Sequence, residues 1–184
     1  MQVSVNMADN NIKFPESVEK ETLEIKIWEA LEKVKDPEIP FISVVDLGMI
    51  ADVKIENELE VKVKMMPTFT ACPALEILQK GISQEVEKRV KDLGVTKITV
   101  EIVREPTWNS NRITEKGKKI LKEFGLAPPP FYEGEIGPDQ LLNVPCPYCD
   151  SNQTELKSTF GSTLCRAIHY CRSCLQSFEQ FKPV

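Results

Sequence analysis

The chain has 184 residues, enough for one well-filled core and a small appendage. At 41% hydrophobic and 28% charged it has the composition of an ordinary globular protein. A net charge of -5 argues against a general nucleic-acid binder, which would carry a basic face, and no apolar run approaches the length of a membrane span.

Residues 1–20 are polar and lack both sustained periodicity and a signal-peptide core, so a flexible tail and a cytoplasmic setting are expected. Six cysteines in that setting point to metal or reactive thiols rather than disulfides, because the cytosol keeps thiols reduced.

Residues 21–128 carry the periodicities of a small two-layer α+β domain. Leu23, Ile27, Ala30, Leu31 and Val34 mark one face of a helix that stops before Asp36-Pro37. Ala51 to Ile55 and Leu59 to Met65 alternate as two strands of a hairpin. Leu75, Leu78, Ile82, Val86 and Val90 then fall at helical spacing, with Gly94 as the stop. Lys97 to Val103 is a third strand, and Thr114 to Phe124 a helix closed by Gly125. The order is α-β-β-α-β-α, which predicts helices against a mixed sheet.

Cys72 stands between the second strand and the second helix, with Pro73 suited to the first helical position. At or next to an N-cap it would face free N–H groups and the positive end of the helix dipole, which favour the thiolate that binds metal or attacks electrophiles. A small apolar filler at a turn is the alternative for such a cysteine.

Residues 129–142, rich in proline and glycine, read as a linker. In residues 143–184, Cys146-Pro147-Tyr148-Cys149 and Cys171-Arg172-Ser173-Cys174 form two Cys-x-x-Cys pairs. Two such turns can set four sulfurs tetrahedrally around one ion, and three strands complete a zinc ribbon held by structural Zn2+. The same four thiolates can hold one iron, as in a small electron carrier. Cys165 and His169 remain; four residues apart on one strand they would share a face, and packing is the favoured reading because two ligands are too few for a second metal site.

Taken together, Asp36-Pro37-Glu38-Ile39-Pro40, Val45-Asp46-Leu47-Gly48-Met49-Ile50 and Pro67-Thr68 with Cys72-Pro73-Ala74 resemble the iron–sulfur assembly domain typified by SufT. Trp108, the run from Phe124 to Pro129 and Phe160-Gly161-Ser162-Thr163-x-Cys165 are similar to the PaaD family, accessory components of the multicomponent phenylacetyl-CoA epoxidase of aerobic phenylacetate breakdown. One departure is Ala71, where the family usually has glycine; a positive φ there would strain alanine. The resemblance implies a non-enzymatic maturation factor for iron or iron–sulfur cofactors. Cys72 would be its transient ligand for iron or a cluster, with Glu38, Asp46, Thr68 and Trp108 around it. Oxygenase or reductase components would be the protein clients, with neither nucleic acid nor membrane as partner and a homodimer left open. The alternatives are an electron carrier using the four-cysteine site and a non-catalytic, zinc-stapled adaptor.

Overall fold

The structure is a computed structural model that describes residues 16–56, 60–69 and 72–184, with side chains from residue 21 onward. Helix α1 (Glu16–Leu31) begins inside the stretch expected as a tail. The rest of that expected tail, residues 1–15, lies outside the described residues. Leu23, Ile27, Ala30, Leu31 and Val34 are buried, as their spacing predicts. The Asp36 carboxylate then accepts from the N–H groups of Glu38 (2.8 Å) and Ile39 (3.0 Å), a side-chain turn that reverses the chain.

Strand β1 (Ile50–Glu56) runs antiparallel to β2 (Glu60–Met65), and β2 runs parallel to β3 (Lys97–Ile102), with Val63 opposite both Val53 and Val100. Helix α2 (Leu75–Val90) is the crossover that a parallel pair requires. Val61, Val63 and Met65 point into the core on one face of β2. The alternate residues Lys62 and Lys64 pair with Glu56, Glu101 and Asp52 on the other. Gly94 ends the α2 region at φ 82°, a left-handed stop that glycine adopts without strain. Gly48, at φ 66°, admits a close approach: a Cβ there would lie 2.3 Å from the Arg112 carbonyl oxygen.

Helix α3 (Glu115–Glu123) is capped by Thr114, whose hydroxyl accepts from the Gly117 N–H at 2.9 Å. After it come β4 (Leu126–Ala127), the short helix α4 (Asp139–Leu142), and the ribbon strands β5 (Thr154–Ser158), β6 (Arg166–Cys171) and β7 (Ser177–Phe181). The ribbon sheet has the order β4-β7-β6-β5, so the three expected strands gain a fourth from before the proline run. Leu126 and Ala127 pair in parallel with Glu179 and Gln180.

The proline-rich stretch is strapped to the body. Asn111 and Tyr132 exchange two hydrogen bonds, and the Gln180 amide donates to the Gln140 carbonyl at 2.8 Å. Phe181 enters the core of the first unit, its ring 6.1 Å from Trp108 and edge-on to it. The Val184 carbonyl accepts from the Ser110 N–H at 3.0 Å. The ribbon is therefore seated on the first unit through its last strand.

Candidate functional site

Cys72 opens onto a cavity of about 340 Å³ at the seam between the two units. The turn after α1 contributes Asp36, Glu38 and Ile39, and the β2–α2 loop contributes Thr68, Phe69, Cys72 and Pro73. From the ribbon come residues 162–165 of the β5–β6 loop and Phe181 of β7. Cys165 is thus brought to the same cavity as Cys72, close enough to act on it electrostatically.

The thiol at the head of α2 is not poised as its position suggested. The helix starts two residues later than expected, with Ala74 rather than Cys72 at the cap and a turn over Pro73 and Ala74. Cys72 is half-buried, and burial pushes its thiol up from the ordinary cysteine range. The N–H of Ala74 works against that, but Asp36, Glu38 and Cys165 add to it. One aligned N–H does not outweigh desolvation and two carboxylates. Ala71, the departure before the cysteine, lies outside the described residues.

Burial likewise pushes Cys165 up; the Thr163 hydroxyl, 2.9 Å away, opposes it, Glu38 reinforces it and Arg166 opposes it. Asp36 is raised by burial, against the N–H groups of Glu38 and Ile39 and the charge of Arg166. Four acidic groups thus face one half-enclosed space, where a cation would stabilise all of them at once.

Of the other residues expected around Cys72, Glu38 and Thr68 line the cavity, whereas Asp46 and Trp108 do not. Asp46 is buried and accepts from the Ser43 hydroxyl (2.7 Å), the Thr114 hydroxyl (3.1 Å) and the Lys116 ammonium (3.2 Å). Burial raises its pKa, but Ser43, Lys116 and Thr114 together hold it below the usual carboxylate range. Trp108 is buried and donates to the Leu47 carbonyl at 3.0 Å. Both fix the turn that carries Leu47, which reaches the cavity wall.

Cys165 and His169 do not form a pair. β6 begins at Arg166, so Cys165 belongs to the loop that folds toward Cys72. His169 is buried, stacked on Phe178 and within 3.2 Å of the Gln180 side-chain oxygen. Sequence reasoning missed that Cys165 lines the same cavity as Cys72; the signal was a fifth ribbon cysteine left over after four ligands were assigned.

The second constellation closes as its spacing requires. The sulfurs of Cys146, Cys149, Cys171 and Cys174 lie within 4.8 Å of one another, with Cys146–Cys174 at 3.6 Å and Cys149–Cys171 at 3.7 Å. Tetrahedral metal–sulfur bonds of about 2.3 Å put sulfurs about 3.8 Å apart, so the set fits a tetrahedral metal site. The N–H of Cys174 chiefly, with that of Ser173, draws the Cys171 thiol down to about 7, while burial pushes Cys174 up to about 12. Neighbouring thiols resist joint ionisation, and a cation among them removes that penalty.

Two family models match separate stretches of the chain. Residues 24–100 match the model of an iron–sulfur cluster assembly protein family, and residues 137–182 match the PaaD zinc beta ribbon domain. A protein of Escherichia coli strain K12, named as one of the subunits of 1,2-phenylacetyl-CoA epoxidase, is 35% identical over 161 residues, covering 86% of this chain and 92% of its own. This chain belongs to the PaaD family. An Fe-S protein maturation auxiliary factor of Bacillus subtilis is 34% identical over 103 residues, covering 55% of this chain and 96% of its own. A domain of unknown function from Bacillus anthracis, solved by crystallography, superposes with a TM-score of 0.52 at 25% identity, over 58% of this chain and 97% of that one. In this PaaD-family chain, Cys72 falls in the matched assembly domain and Cys165 in the matched ribbon. The cavity between them is built from both. No helix among the described residues is long and apolar enough to cross a membrane.

Proposed function

We propose that this chain is an accessory maturation factor that holds iron or an iron–sulfur cluster in transit to a protein client. Cys72 is the transient ligand, and Glu38 and Asp36 are the flanking carboxylates. The observation that carries this reading is a half-buried thiol opening, with two carboxylates, onto a cavity with room for cargo. A thiol sealed in hydrocarbon could not serve. The kinship with maturation auxiliary factors and with a protein named for phenylacetyl-CoA epoxidase supports it, and the clients are read as the oxygenase or reductase components of such an epoxidase in the cytoplasm. A cluster needs about four ligands, so the client or another protomer supplies the remainder.

The four ribbon cysteines are read as the holders of structural Zn2+, which supplies folding energy to a sheet too small for a dry core of its own. Their thiolates also suit a single iron, which would make the chain an electron carrier. Metal analysis decides between them: zinc at one equivalent with no visible colour supports maturation, and a red protein with a reversible redox wave supports the carrier. For the function itself, the Cys72→Ser variant is co-expressed with the oxygenase and reductase components. Loss of client cluster content, with zinc and fold retained, is expected. Unchanged client clusters would leave only a zinc-stapled adaptor.

A further inference from the structure

We propose that Cys165 of the ribbon is the second thiol of the cargo site, so that iron, alone or in a small cluster, is held between Cys72 and Cys165 across the seam. This rests on the reading of Cys72 as a ligand and adds the residue that completes it.

Cys165 is held in place from both sides. Its carbonyl accepts from the Lys182 N–H at 2.9 Å, and the loop before it is closed by Gly161 N–H to the Arg166 carbonyl, also 2.9 Å. Glu179 fixes the same loop through the Ser162 hydroxyl at 3.0 Å and pairs with Arg166 at 2.9 Å. Arg166 then reaches across the seam, donating to the Glu38 carbonyl at 3.0 Å. One guanidinium therefore ties the thiol-bearing loop of the ribbon to the carboxylate-bearing turn of the assembly domain. A ligand on a braced loop costs little ordering entropy when it binds.

The charge pattern fits a cation. Cys72, Cys165, Asp36 and Glu38 all reach the cavity, and among the described residues no lysine, arginine or histidine lines it. Arg166 is committed to Glu179 and Glu38, and the Lys182 ammonium lies over the Phe69 and Phe160 rings. Ile39, Leu47 and Phe181 make apolar walls, which strengthen charge attraction inside. Two soft sulfurs favour iron over the hard cations that carboxylates alone would select.

The spacing fits cargo rather than a permanent ion. Among the described residues the four ribbon cysteines are the only metal-ligating set of three or more within 4.8 Å of one another, so the cavity groups stand wider apart than one closed shell. Two thiols hold a cluster by half of the roughly four ligands it normally takes, leaving positions open to client thiolates. Each thiol releases one proton as it binds the cargo. Each client thiolate that displaces it takes over the bond to iron, and the freed thiolate regains a proton, with no change of oxidation state.

The test uses full-length, zinc-loaded protein under anaerobic conditions, titrated with Fe(II) alone and with Fe(II), sulfide and ferricenium, the one-electron oxidant that supplies the Fe(III) of a cluster. Bound iron after desalting and the thiolate-to-iron absorption are read. Wild type should bind in at least one arm: Fe(II) alone identifies an ion site, and a sulfide requirement identifies a cluster site. Cys72→Ser and Cys165→Ser should each weaken binding at least about tenfold, since even indirect supports of a metal site cost that much. Loss in Cys72→Ser with wild-type binding in Cys165→Ser overturns the two-thiol site and leaves the functional reading standing. Wild-type binding in both variants overturns both, and no iron binding by wild type in either arm overturns the site. A variant that sheds its zinc is replaced by a measurement on wild type. Bound cargo should protect both Cys72 and Cys165 from iodoacetamide, and protection of Cys72 alone overturns the proposal.

Discussion

Asp46, a candidate neighbour of Cys72 by resemblance, has surroundings that predict a structural role instead, and that role can be measured. Its carboxylate takes three hydrogen bonds, from Ser43, Thr114 and Lys116, at 2.7 to 3.2 Å, and its side chain is 5% exposed. Its own N–H donates to the Ser43 hydroxyl at 2.9 Å, and its carbonyl accepts from the Thr114 N–H at 2.9 Å. The residue therefore joins the turn before β1 to the cap of α3. Hydrogen bonds to a charged group contribute about 1.5–3 kcal/mol each and are not additive. Lys116 is largely exposed and counts for little, so Asp46→Ala should cost about 3 kcal/mol in all. Asp46→Asn keeps one acceptor oxygen and should cost about half of that. Urea unfolding of wild type and both variants, zinc-loaded, measures this as a shift in midpoint at constant slope. The pH dependence has a definite sign. A carboxyl whose folded pKa is lowered stabilises the fold fully above its unfolded pKa, near 3.9, and that contribution is lost as pH falls through the lower folded value. The gap between wild type and Asp46→Asn should hold from neutrality to about pH 5 and shrink only in stronger acid. Ribbon metal leaves in acid in both proteins, so the difference is the readout. Equal midpoints at pH 7, or a gap that does not shrink in acid, would refute the assignment. Client maturation per folded molecule should be unchanged.

Three more outcomes rest on the same packing. Phe181→Ala removes a ring that is 2% exposed and fills the core under the ribbon, so it should cost about 3–5 kcal/mol and make Cys165 more reactive toward iodoacetamide. Removing the ribbon metal with a chelator should abolish the near-ultraviolet dichroism of the ribbon and raise the protease sensitivity of residues 143–184, because metal binding and folding are coupled there; the α+β unit should keep its far-ultraviolet signal. Trp108→Phe leaves the Leu47 carbonyl without its donor, a loss of about 1–2 kcal/mol read by thermal melting, with the cavity thiols still labelled as in wild type.

The secondary structure and the four-cysteine site were legible in the chain itself. Alternation in β1, β2 and β3 and the helical spacing of Leu78, Ile82, Val86 and Val90 are local signals, each set by which face of an element must leave water. Two Cys-x-x-Cys turns carry their ligand geometry within four residues apiece, so the distance between them in sequence matters little. Cys72 was legible as a position but not as an electrostatic environment. Whether a thiol is lowered or raised depends first on how far the fold buries it, then on groups that arrive from elsewhere, here the Ala74 N–H against Asp36, Glu38 and Cys165. Cys165 shows the limit most clearly. It lies 93 residues beyond Cys72, past a proline run that reads as a spacer, and local rules describe only the strand next to it. The tertiary structure decided the rest. β4 adds to the ribbon sheet and Phe181 enters the first core, long-range pairings that no window of sequence encodes, and together they bring the fifth ribbon thiol to the mouth of the assembly domain.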